Sequence, residues 1–235
     1  MKLRSSSHTD IGRVRSENED SMLCDDRLGL YAVADGIGGL PGGAEASQLT
    51  VATLRDWIEE NANQTKIDYD GCVAAVNYEV FSLGRQLSPR TGIGSTLSFA
   101  HVVGSTIHCG HIGDSCLMRL RGGQLMALTD EHTVENELQG SRAATEMALL
   151  EQRNALTRCI GQPPPVTGDF PEYEMQSGDR YLICTDGVSR GVPHRDLTLL
   201  LLDSTDPESC VRALVNSANQ HGGLDNATAV VFFVE

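Results

Sequence analysis

Between residues 95 and 127 the chain alternates apolar β-type pieces with glycine turns, and this pattern limits the possible fold more than any other stretch. The pieces cover 95–103, 106–112, 116–120 and 124–127, separated by Gly104-Ser105, Gly113-Asp114-Ser115 and Gly122-Gly123. Short strands joined in this way read as an antiparallel meander. Further strands are predicted at 5–9 (an edge strand), 21–25, 28–34, 166–173, 180–185 and 227–234. A helix is predicted over 44–60, where Val51, Leu54 and Ile58 share a stripe. A second over 70–87 repeats Val73, Val76, Val80, Leu83 and Leu87 in steps of three and four, and Ser88-Pro89 stops it. Asp206-Pro207 is an N-cap and first-turn pair for a helix through about Asn219. The polar, alanine-rich stretch 129–154 reads as one or two short surface helices. Strands and helices come in blocks, not in βαβ alternation. The expected class is therefore α+β, with antiparallel sheets packed on each other and helices outside.

A chain of 235 residues with 40% hydrophobic content can bury a sizeable core. A net charge of −14 argues against nucleic acid or an anionic membrane as partner, because both require basic patches. Excess carboxylate serves either solubility or a cation site. The seven cysteines form no Cys-x-x-Cys pair and no Cys/His cluster at zinc spacing, as expected of reduced thiols. The polar N-terminus carries no signal-peptide pattern, and no apolar run approaches the length of a membrane span. Cytoplasmic location is the expectation. There is no internal repeat, low-complexity tract or linker, so residues 1–235 are expected to form one domain.

Three aspartates share one grammar. Asp35 closes Leu30-Tyr-Ala-Val-Ala, Asp186 closes Tyr181-Leu-Ile-Cys-Thr, and each is followed by glycine; Asp225 precedes the apolar run from Ala227. After Asp35 the glycines crowd at Gly36, Gly38, Gly39, Gly42 and Gly43, which suggests backbone in close approach to something. Singly, each aspartate fits a plain turn. Together, carboxylates at strand ends can converge on one rim of a sheet, where they cannot all stay ionised without a cation. Oxygen donors without His or Cys point to magnesium or manganese. Asp114, in Gly-Asp-Ser, repeats the pattern more weakly. Arg15 is either a surface charge paired with Glu19 or Asp20, or a planar fork for a phosphate if its loop covers the metal site. The histidines do not cluster: His101, His108 and His111 fall in predicted strands, His132 and His194 near helix starts, and all read as structural or surface residues.

In order along the chain stand the segments beginning Asp10-Ile-Gly-Arg-Val-Arg15 and Ala34-Asp-Gly-Ile-Gly-Gly39, then Gly94-Ser-Thr, Gly113-Asp-Ser115 and Leu128-Thr-Asp-Glu-His-Thr133. Leu156-Thr-Arg-Cys-Ile-Gly161, Cys184-Thr-Asp-Gly187 and Gly222-Gly-Leu-Asp-Asn226 complete the series. This ordered set, from Thr9 to Val234, resembles the bacterial branch of the metal-dependent serine/threonine protein phosphatases, the PPM or type 2C family. The resemblance implies a four-layer αββα sandwich, two stacked antiparallel sheets flanked by helix pairs, with a two-metal centre of Mn2+ or Mg2+ at one end. It implies that Asp35 bridges the metals, that Asp186 and Asp225 complete one, and that the Gly36 carbonyl and, through water, Glu19 serve the other. Arg15 would hold the substrate phosphate. Asp114 with Asp186 would form a looser third-metal site, and residues 131–154 would match the family's flap beside the site.

A water bridging the metals would then attack phosphorus directly, without a phosphoenzyme. The implied activity is hydrolysis of phosphoserine and phosphothreonine in proteins, opposing a cognate Ser/Thr kinase in a bacterium; a monomer is expected. Two positions depart from the pattern. Leu40 stands where bacterial relatives often carry histidine, which excludes a histidine general acid there. Cys116 stands where they often carry arginine. Competing readings are a non-enzymatic phosphoprotein-binding member of the same fold, the narrower type that acts on anti-sigma antagonists, and, last, a cation-storing structural protein, which would leave Arg15 unexplained. The metal aspartates and Arg15 speak against the first. The stretch 131–154 speaks against the second, because that type typically lacks it.

Overall fold

The computed structural model describes residues 1–39, 41–137 and 154–235. Two strands explain its layering. β3 (Leu30–Asp35) and β10 (Ala227–Val234) are buried along almost their whole length, so neither can have a solvent face. Both therefore sit inside a sheet with both faces covered. One sheet runs β1 (Leu3–Asp10), β10, β9 (Arg180–Cys184), β6 (Cys116–Arg121), β7 (Gln124–Ala127). The other runs β2 (Asp20–Asp25), β3, β4 (Leu97–Val103), β5 (Thr106–Ile112), β8 (Glu172–Glu174). Every strand pair is antiparallel.

The period-2 alternation of β3 and β10 sorts their side chains into separate layers. Tyr31, Val33, Val230 and Phe232 point between the sheets, where Phe232 stacks on Tyr31 with centroids 4.4 Å apart and on Tyr181 at 4.7 Å. Leu30 and Ala32 face α1 (Gly43–Asn61) and α2 (Tyr69–Leu87) through Leu54, Ile58, Val73, Val76 and Val80. Ala229 and Val231 face α6 (Pro207–Gln220) through Val211, Leu214 and Val215, with α5 (His194–Asp203) alongside. The result is a four-layer αββα sandwich. Asp206 caps α6 by accepting from the Ser209 N–H at 2.8 Å, and Pro207 opens the first turn.

The structure corrects the predicted meander. β4 and β5 pair in one sheet and β6 and β7 in the other, because the chain changes sheets at Gly113-Asp114-Ser115. That crossing carries Asp114 to the sheet rim. The predicted strand 166–173 is also shorter than expected: only Glu172–Glu174 pairs with β5, and the residues before it follow the proline run 163–165 irregularly. Two helices escaped the periodicity reading. In α5 a continuous leucine run hides the stripe, since Leu197 and Leu201 are buried while Leu199 and Leu202 lie exposed. The single turn α4 (Asp186–Ser189) directly follows β9. Of the stretch 129–154, a helical turn α3 (Val134–Glu137) is described. Most of the expected flap, and Leu40, lie outside the described residues.

Candidate active site

At one rim of the sandwich the chain converges: the start of β2, the end of β3, the β5–β6 crossing, the end of β9 and the approach to β10. A cavity of about 380 Å³ opens there, lined by Asp35, Gly36, Asp114, Asp186 and Asp225 together with Arg15 and Glu19. The structure thus brings all the site residues named from the sequence to one pocket.

Asp35 stands opposite Asp20 in the β2–β3 ladder, so both carboxyl groups project to the same side. Burial, then Asp20 and Asp186, hold the Asp35 carboxyl well above the usual carboxylate range. Burial pushes Asp20 up to about 7 against two hydroxyl contacts that favour its charged form. One Asp20 oxygen, Oδ2, accepts from the Thr185 hydroxyl at 2.9 Å across the two sheets. The other, Oδ1, is buried without a hydrogen-bond partner among the described residues. Asp186 is raised to about 6, chiefly by burial and then by Asp114.

Two guanidinium groups answer this negative charge. Arg15 donates to Asp225 Oδ2 at 2.7 Å. Arg190 donates to Asp186 Oδ2, Asp114 Oδ2 and Glu131 Oε2, each at 2.9 Å. Burial raises the Glu19 carboxyl and nearby Arg15 opposes the shift.

The glycines of the turn make room for the chain's own parts. A Cβ at Gly36 would collide with the Gly43 carbonyl, and one at Gly43 with the Glu19 carboxylate. The Gly36 N–H donates to the Glu19 carbonyl at 3.0 Å, which fixes this turn against the Arg15 loop. Gly38 lies under the Arg15 guanidinium, where a Cβ would sit 3.1 Å from a terminal nitrogen.

Among the described residues, no three His, Cys, Asp or Glu side chains already stand as a ready coordination shell; the arginines engage the carboxylate oxygens instead. The donor chemistry nonetheless fits a hard divalent ion. The orphaned, buried Asp20 Oδ1 and the crowded acids Asp20, Asp35 and Asp186 form an oxygen-only pocket whose charge is incompletely met.

Four further residues shape the site. From the sequence Asp20 is a candidate ion-pair partner for Arg15; the register of β2 and β3 puts it opposite Asp35 instead. Asn226 closes the segment Gly222-Gly-Leu-Asp-Asn226; its amide donates to the Ile11 and Glu17 carbonyls, both at 2.9 Å, and accepts from the Glu19 N–H, tying the Arg15 loop to Asp225. Arg190 carries no local signal, because Asp114 and Glu131 are distant in sequence. His132 holds the Asp114 turn: Nδ1 accepts from the Gly113 N–H at 3.1 Å while Nε2 faces Asp169 at 3.0 Å.

Fold and site together define a protein phosphatase of the metal-dependent serine/threonine class. The chain belongs to the protein phosphatase 2C family, whose model matches residues 11–226. Its relatives include the serine/threonine protein phosphatase PstP of Mycobacterium tuberculosis, 33% identical over 235 residues; the match covers 98% of this chain and 45% of PstP. Among solved structures, PppA of Pseudomonas aeruginosa superposes with a TM-score of 0.86 at 31% identity, covering 100% of this chain and 99% of that one. The PstP catalytic domain in complex with two manganese ions gives 0.83 at 30% identity, covering 99% of each chain.

Proposed function

We propose that this protein hydrolyses phosphoserine and phosphothreonine in proteins, with two Mn2+ or Mg2+ ions held at the rim pocket, and so opposes a Ser/Thr kinase. The observation that carries this reading is the convergence of Asp35, Asp186 and Asp225 with Arg15 in one cavity. Asp35, the Gly36 carbonyl and Glu19 would serve one ion, and Asp35, Asp186 and Asp225 the other. Asp20, with its orphaned oxygen, would orient groups beneath them. When bound, the ions supply Lewis-acid charge and a nucleophile at neutral pH.

The chain's own residues then have three tasks. Arg15 binds the phosphate: its planar fork matches two phosphate oxygens, and it rests on Gly38 at the pocket edge. Its ion pair in the pocket is to Asp225 Oδ2 at 2.7 Å, a half-exposed pair that the guanidinium could exchange for substrate oxygens. Asn226 keeps the Arg15 loop in register with Asp225. Thr96 fixes the Asp35 backbone, accepting from its N–H at 2.9 Å and donating its own N–H to its carbonyl at 2.8 Å.

No helix among the described residues is long and apolar enough to cross a membrane. The seven free thiols fit a reducing, cytoplasmic setting. The test is phosphate release from phosphoserine, phosphothreonine and phosphotyrosine peptides with manganese, then with a chelator. Turnover of the first two, abolished by chelation and restored by metal, supports the reading. Full activity in the metal-stripped protein contradicts it.

A further inference from the structure

Arg190 sits at the C-terminal end of α4, four residues beyond Asp186, and its backbone N–H donates to the Asp186 carbonyl at 2.8 Å. The short turn points its side chain back over the carboxylates. One terminal nitrogen reaches Asp186 Oδ2; the other reaches Asp114 Oδ2 and Glu131 Oε2, all at 2.9 Å. The Asp114 side chain is only 11% exposed and that of Asp186 20%, so neither has water enough to carry its charge alone. The Asp114–Asp186 pair is where the family resemblance places a loosely held third metal. Here the facing oxygens of that pair are already spanned by a cation that belongs to the chain.

A guanidinium differs from a labile ion in two ways. It keeps its charge at any pH the protein survives, and a chelator cannot remove it. It also repels a divalent ion brought to the same two oxygens, because that ion would have to displace both hydrogen bonds and sit beside a fixed positive charge. We propose that Arg190 takes the place of the third metal: a tethered cation that holds Asp114 and Asp186 and anchors Glu131, the first residue of the stretch 131–154 expected to border the site. The chain then binds two divalent ions, not three. Arg190 is a positioning residue in this account, acting through the carboxylates it holds.

The inference rests on the two-ion reading of the pocket, and counting ions separates the two. Manganese bound at equilibrium is measured by dialysis and elemental analysis, up to millimolar free metal, for the wild-type chain, Arg190→Gln, and Arg190→Gln combined with Asp114→Asn. The expected result is two ions for wild type. Arg190→Gln should gain a third, bound at least tenfold more weakly, and the double variant should return to two, which separates a site at Asp114 from diffuse binding to an acidic surface. Three ions on the wild-type protein, or two on Arg190→Gln, would overturn the role of Arg190 while leaving the two-ion pocket standing. No bound ion on the wild type would overturn both.

Discussion

Asp20 and Asp35 lie directly opposite each other across the β2–β3 ladder, and both carboxyl groups are driven up in pKa by burial and by neighbouring acids. Cross-strand partners of like charge about 5 Å apart destabilise a sheet. The protein keeps them at a place where they cost stability. A cation at this rim would offset that cost, as the proposed metal site requires.

This gives the first expected outcome. Asp35→Asn should stabilise the metal-free protein, by about 1 kcal/mol or more, roughly 2–4 °C in Tm for a chain of this size. The same substitution should abolish the stabilisation that manganese gives the wild type. Thermal melts in chelator and in manganese measure both. A variant less stable than wild type in chelator would show that the acid pair supports the fold.

Arg15 gives the second. It is 42% exposed and spends its metal-free contact on Asp225, so it contributes little to stability. Arg15→Ala should raise KM for phosphopeptides while the melting temperature stays put. Loss of one charge-assisted bidentate contact corresponds to about 1.5–3 kcal/mol in kcat/KM. Unchanged kinetics would return Arg15 to the surface.

Asn226 supplies the third. Its side chain satisfies two carbonyls and one N–H of the loop 11–19 and is 5% exposed. Asn226→Ala leaves these groups unpartnered, and a loss of about 1–3 kcal/mol in unfolding free energy is expected. Activity should fall with it, since the loop carries Arg15. Chemical denaturation alongside kinetics checks both effects.

The fourth concerns pH. Burial lowers His101 to about 4, with His108 adding to the shift and a backbone hydrogen bond at Leu28 opposing it; Tyr69 hydroxyl faces its Nδ1 at 2.8 Å. The unfolded chain binds a proton near pH 6.5 that the folded chain refuses until about pH 4. Stability present in full above pH 6.5 is therefore lost as pH falls toward 4, by roughly 3 kcal/mol for a shift of this size. The stability difference between wild type and His101→Gln should shrink by that amount over the same range. Parallel pH profiles would show that His101 titrates normally.

The legible parts of this site were those with a local signature. Asp35 and Asp186 each end an apolar strand and precede glycine, and Asp225 precedes an apolar strand; these patterns sit within a few residues. Stacked sheets with helices outside were legible too, because strands and helices come in blocks, and the four layers followed from the family resemblance. What stayed hidden depends on distance. Arg190 meets Asp114 and Glu131 only after the chain has crossed between sheets, and no spacing rule reports such a meeting. The exchange of sheets at Gly113-Asp114-Ser115 was equally invisible, since a turn within a meander and a step between sheets use the same residues. Asp20 stayed hidden as well, because its single buried, orphaned oxygen emerges only when β2 takes its register opposite β3.

The most direct test of the central claim pairs wild-type protein with Asp35→Asn at saturating manganese, following phosphate release from a phosphothreonine peptide while circular dichroism monitors the fold. The expected result is turnover by the wild type and a loss of at least about 10³-fold in the variant, with the fold intact, because removing the shared carboxylate forfeits several kcal/mol of charge stabilisation. Equal rates in the two proteins would mean that the rim carboxylates do not carry the reaction, and would contradict the account.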